Sequence, residues 1–245
     1  MNYKKRLVKF DISKIMNMSF LLFLVPAILG VIVNLVIKGK DQSITGTFLY
    51  DAIFSAGLLI VLLFVHEGLH ALGFILFGKA KLKNIKFGVI WKQGMLYCTT
   101  TQPLTVKAYA ISLVLPLIIA GLVPFIIIIF LGNALLVLVF AFMISGASGD
   151  ILMLNKVCSY PKDQLILDHP SAPAFYLIYP EGKEPADFTE TTEEEEKALL
   201  EEMKENPLKS KVNKSWALKT IYVLLFIAAA LVVMFGIGVV LSYTI

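Results

Sequence analysis

Only two cysteines, Cys98 and Cys158, occur in 245 residues, too few and too unpatterned for a disulfide framework or a cysteine-rich zinc ribbon. Charge is also scarce: Asp, Glu, Lys and Arg make up 16% of the chain, against about 25% in an ordinary globular domain. Such a shortage excludes a disordered tail and a typical soluble enzyme of this size. Histidine is rarer still, with three residues, two of them four positions apart. No internal repeat is present. Apolar side chains fill the space, at 58% of residues and a mean hydropathy of +0.79. The composition points to an all-α polytopic membrane protein. The net charge of +4 would suggest nucleic acid only if the basic residues gathered on one soluble face. They flank the apolar runs instead, so the bilayer is the expected partner and nucleic acid is not.

A span needs about 20 apolar residues. Five stretches qualify: Met18–Ile37, Ala52–Gly78, Ala108–Leu131, Ala134–Asn155 and Trp216–Leu241. The first is too long for a signal-peptide core and lacks a small-residue cleavage site after it, so it reads as a retained span. Five basic residues precede it, six lie between spans two and three, and eight lie between spans four and five. The turn between spans three and four has none. This asymmetry predicts a multi-pass protein of the cell membrane, N-terminus cytoplasmic and C-terminus outside. The organisation is then a basic N-terminal segment (1–17), a four-span domain (18–155), a cytoplasmic segment (156–215), and a fifth span with the C-terminus (216–245).

Two soluble stretches carry local signals. Within 81–102, Ile85, Phe87, Val89 and Trp91 alternate along a strand. Lys92-Gln93-Gly94 reads as a turn and Met95–Thr101 as a second strand, which makes a membrane-associated β-hairpin. In 156–215, Thr192 and Glu195 have capping-box spacing, Glu193 and Lys197 are at i,i+4, and Pro207 ends the helix.

The second expected span contains His66-Glu67-Gly68-Leu69-His70, the H-E-x-x-H pattern. Four residues are slightly more than one helical turn, so both imidazoles project from one face and can meet a single Zn²⁺. Glu67 is rotated away from that face. It can reach a water beside the metal without being a ligand, acting as general base and then as proton donor to the leaving amine. Ionisable groups inside a membrane are costly and point to function.

A catalytic zinc site needs a third ligand. Asp150 is the one acidic residue within spans three to five. It lies about 8 Å from the cytoplasmic end of its span and His70 lies about 12 Å from the end of its own, at 1.5 Å per residue. The depths agree within a turn. Ser145 and Gly149 form a small-xxx-small pair that would let the two helices pack, with Gly68 and Ala71 keeping the facing helix slim. The other candidates are weaker: His169, in Asp168-His169-Pro170, reads as a surface loop histidine, and Pro116 and Pro124 read as kinks of the third span.

With these residues in view, the chain resembles the site-2 protease class of intramembrane zinc metalloproteases. More narrowly, it resembles a bacterial family of zincin peptidases found in membrane proteins. The likeness covers about residues 50–180, including Asp168-His169-Pro170 and Phe175-Tyr176. It implies His66, His70 and Asp150 as zinc ligands, Glu67 as catalytic acid/base, and a substrate helix that unwinds near the metal. The chain departs from the site-2 pattern in having Ser148-Gly149-Asp150-Ile151 where Leu-Asp-Gly is common, no Asn beside Pro116, and no PDZ-like domain. The expected activity is hydrolysis of a membrane-associated protein or peptide. The same triad would also serve a non-enzymatic metal binder or transporter, or an inactive structural relative.

Overall fold

The computed structural model describes residues 3–39, 46–90, 95–131, 133–169, 172, 174–182, 184, 185 and 188–204. The expected fifth span, the helix stop at Pro207 and the turn at 92–94 lie outside them. The chain divides into two compact units, 1–200 and 201–245, and the architecture below is that of the first.

Four helical stretches are long and apolar enough to cross a membrane: Ser13–Lys38, Phe48–Leu76, Val106–Leu131 and Ala134–Val157. They match the first four expected spans within a few residues. Their outward faces carry exposed Leu21, Val36, Ile60, Phe64 and Leu131. Apolar exposure of this extent suits lipid rather than water. Strand β1 (Tyr3–Lys9) precedes α1 (Ile12–Lys38), whose first turn is capped by the Asp11 carboxylate accepting from the Ser13 amide at 2.8 Å. Helix α2 (Phe48–Leu76) is unbroken.

The third span is not one regular helix. Helix α3 (Val106–Pro116) gives way to a π-helical stretch, Leu117–Leu122, and then to α4 (Val123–Leu131). Pro116 therefore marks a widening of the helix, since a residue without an amide hydrogen cannot continue the α ladder. Near the end of α4, the Ile129 carbonyl accepts from the Asn34 side chain of α1 at 2.8 Å.

The fourth span is broken as well. Helix α5 (Ala134–Gly146) ends at Ala147, and α6 (Ser148–Val157) begins immediately after. Helix α1 braces the break: Ser145 Oγ donates to the Ser19 carbonyl at 2.8 Å, and the Ser19 and Ser148 hydroxyls hydrogen-bond. Asp150 thus falls in the first turn of a new helix, where the peptide dipoles favour an anion.

Strands β2 (Ile85–Ile90) and β3 (Met95–Thr100) form the expected hairpin, with Phe87 opposite Cys98 and Gly88 opposite Tyr97. A Cβ at Gly88 would stand 2.3 Å from the end of the Tyr97 ring, so a larger residue there would displace that ring. The all-α expectation needs one correction. Strands β4 (Leu104–Thr105), β5 (Leu165–Asp168) and β6 (Ala174–Pro180) join β1 in an antiparallel sheet of order β1-β6-β5-β4. Phe175 and Leu177 of β6 and Ile166 of β5 bury against Tyr109 and Val157. The basic N-terminal segment and the segment after span four are therefore partners in one sheet. Strand β1 precedes the first span, β4 follows the second, and β5 and β6 follow the fourth, so the even number of crossings brings all four strands to the same end of the helices.

The last described helix, α7 (Glu193–Lys204), starts with the expected capping box: Glu195 N–H donates to Thr192 Oγ1 at 3.2 Å and Thr192 N–H to Glu195 Oε2 at 3.3 Å. Glu196 accepts from the Tyr176 hydroxyl at 2.8 Å. His169, expected on a surface loop, is buried, its ring 5.5 Å from that of Tyr176. Desolvation lowers its pKa.

Candidate metal centre

Helix α2 places His66 and His70 one turn apart on its buried side, with ring centroids 5.1 Å apart. Asp150 comes to them from the start of α6. His66 Nε2 stands 3.2 Å from Asp150 Oδ2, and His70 Nε2 stands 3.4 Å from Asp150 Oδ1. The three side chains expected from the sequence are brought together, and each offers a donor atom within 4.8 Å of the others.

The donor set fits a zinc ion. A tetrahedral ion with bonds of about 2.1 Å keeps neighbouring ligand atoms about 3.4 Å apart, close to both nitrogen–oxygen separations. Asp150 Oδ2 is fully buried and makes no hydrogen bond of good geometry, so it has a lone pair to give. Among the described residues the donor cluster holds three side chains, so a tetrahedral ion held by them would have a fourth position for another ligand.

The second and fourth spans pack together as expected, but not through the glycines and serine that the sequence pointed to. A Cβ at Gly68 or Gly149 would meet nothing within 4 Å, and Ser145 faces α1. Those residues do not clamp α2 to the fourth span. The close approach is between α2 and α3, where a Cβ on Gly73 would lie 2.5 Å from Ser112 Cβ and 2.7 Å from Ser112 Cα. Only glycine admits the α3 backbone there. One turn back, the Ser112 carbonyl accepts a hydrogen bond from His70 Nδ1 at 3.0 Å. A carbonyl can only accept, so Nδ1 carries the proton, and Nε2, on the Asp150 side, is the ring atom left to bind a metal.

Beyond His70 runs a stack of rings: His70 on Phe74 (centroids 6.4 Å) and Phe74 on Tyr109 (6.1 Å). The Tyr109 hydroxyl donates to Asp168 Oδ1 at 2.9 Å, tying α3 to the sheet. Nothing in the sequence marked Ser112 or Tyr109 as supports of the centre, and Asp168 stood out only within Asp168-His169-Pro170 of the family likeness, since each works through a contact far along the chain. Burial raises the Asp168 pKa to about 6, against the hydrogen bonds from Tyr109 and Thr99 that favour its charged form. A carboxyl with a raised folded-state pKa stabilises the fold below its unfolded value of 3.8, and that contribution is lost as pH rises through about 6. The difference is at most about 3 kcal/mol. Asp168→Asn should therefore flatten the fall in stability between pH 4 and 6 in the metal-free protein. Thermal unfolding in detergent across that range checks it, and an unchanged slope would exclude Asp168 as its source.

Glu67 sits beside the donor cluster, and the Cys98 amide of β3 hydrogen-bonds to its carboxylate. Burial pushes the neighbouring Cys98 thiol up to about 12, so it stays neutral. A groove of about 370 Å³ opens onto Glu67 between α2 and the hairpin, lined by Phe64, Gly68, Phe87, Val89 and Tyr97. Open space at Gly68 is part of that groove rather than a helix contact.

No curated protein and no solved structure matches the chain. One family model does, over somewhat less than half of it: residues 59–165 match the family described as "Putative zincin peptidase", and that stretch carries His66, Glu67, His70 and Asp150.

Proposed function

We propose that the chain is an integral membrane zinc metalloendopeptidase that hydrolyses a peptide bond of a membrane-associated protein or peptide. The observation that carries this reading is the meeting of His66, His70 and Asp150 around one point, with Glu67 alongside and a groove leading to it. The three side chains hold the ion. Bound zinc supplies Lewis acidity, polarising the scissile carbonyl and acidifying water. Glu67 removes a proton from the attacking water as its oxygen bonds to the carbonyl carbon. It returns a proton to the amine nitrogen as the C–N bond breaks. The Ser112 carbonyl keeps His70 in the ligating tautomer throughout. The open fourth position favours catalysis over a purely structural metal.

The apolar walls of the groove suit a segment drawn from a membrane helix. The hairpin is a sheet of its own among the described residues, and an extended substrate adds along its edge as a further strand. Leu96→Pro should impair cleavage and spare zinc, and undiminished cleavage would remove the hairpin from substrate binding. The chain lies in the cell membrane with its N-terminus and four-stranded sheet on the cytoplasmic side, where the Lys-rich segments are, and its C-terminus outside. The deciding experiment compares cleavage of membrane peptides by the wild type and by Glu67→Gln at equal zinc content.

A further inference from the structure

The Ser112 carbonyl is available to His70 because of the sequence of α3. In a regular α-helix the carbonyl of residue 112 accepts from the amide of residue 116. Residue 116 is proline and has no amide hydrogen. The next amide does not take its place, because Leu117 N–H bonds to the Val114 carbonyl. The Ser112 carbonyl is thus released from the helix ladder four residues before the proline. It is buried, and Gly73 holds it against α2 within 3.0 Å of His70 Nδ1.

We infer that Pro116 is a positioning residue of the metal centre: by withholding an amide hydrogen from α3, it frees the Ser112 carbonyl to orient His70. Its effect at the metal is indirect, acting through the Ser112 carbonyl. Two features of the sequence cooperate, one bringing the α3 backbone close and the other leaving its carbonyl a free lone pair. The inference rests on the reading of His70 as a zinc ligand. It does not need Glu67 or turnover.

The test is zinc affinity of the full chain in detergent, measured by chelator competition. Loss of an outer hydrogen-bond partner of a ligand weakens metal binding by about 10–100-fold. Pro116→Ala introduces an amide that competes for the Ser112 carbonyl and should weaken zinc binding by about 10-fold. Pro124→Ala alters the other proline of the same span and should leave binding unchanged. The sharpest comparison replaces the alanine amide of Pro116→Ala by an ester, through incorporation of the α-hydroxy acid. That variant keeps the alanine side chain and lacks the ring, yet again has no N–H to donate. It should recover wild-type affinity. The His70 Nδ1 proton signal in ¹⁵N-resolved spectra of the zinc-loaded protein should shift in Pro116→Ala and return in the ester. Equal affinities for the amide and ester forms would overturn the inference, and so would a Pro116→Ala protein that binds zinc as tightly as wild type. A wild type that binds no zinc would bring down the metal reading itself, a result distinct from either.

Discussion

Glu67→Gln is expected to bind as much zinc as the wild type and to lose peptide-bond cleavage by about 10²–10⁴-fold, the usual contribution of a general acid–base. The glutamate is not in the donor cluster, so the amide should leave His66, His70 and Asp150 in place. An amide cannot take a proton from water at neutral pH, and the step that makes the nucleophile fails. The substitution is nearly isosteric and keeps an oxygen that can accept from the Cys98 amide. Two measurements are needed together, metal per protein and cleavage of a membrane peptide. Zinc retained with cleavage lost supports the peptidase. Zinc retained with cleavage unchanged would remove Glu67 from the chemistry and favour a binding or transport role for the same metal.

Asp150→Ala should have the opposite signature, with metal lost first and everything else following. Its two oxygens face the two imidazoles at 3.2 and 3.4 Å, so one substitution removes the anionic member of the set. A four-ligand protein zinc site is worth about 10–16 kcal/mol, or roughly 3 kcal/mol per ligand. A fall in affinity of about 100- to 1,000-fold is therefore expected. Metal analysis after dialysis against a weak chelator reads it directly. Stoichiometric zinc in the variant would mean that another donor completes the site.

The first four spans, the hairpin and the candidate metal donors were legible in the sequence because each has a local signature. Apolar runs of span length mark α1, α2 and the third and fourth spans. His66 and His70 are paired by helical periodicity, and Asp150 stands out as a carboxylate in an apolar run. What was not legible depends on distant partners. Strand β1, Tyr-Lys-Lys-Arg-Leu-Val-Lys, has the composition of a basic tail and becomes a strand only because β6 pairs with it. The helix breaks at Pro116 and Ala147 reach the site through what they release or redirect, a carbonyl in one case and the first turn of α6 in the other. Small residues also mislead when read alone: Gly68 and Gly149 looked like packing positions and stand in open space, whereas Gly73 makes the close approach.

The pairing of Tyr3–Lys9 with Ala174–Pro180 has a consequence for biogenesis. During translation at roughly 5–20 residues per second, the earlier strand leaves the ribosome about ten to thirty seconds before its partner exists. In that interval its backbone edge is open to any nascent or neighbouring chain. Lys4, Lys5, Arg6 and Lys9 guard it, since charged side chains are how edges discourage unwanted pairing. Those cations keep the unpaired edge apart until Ala174–Pro180 pairs with it.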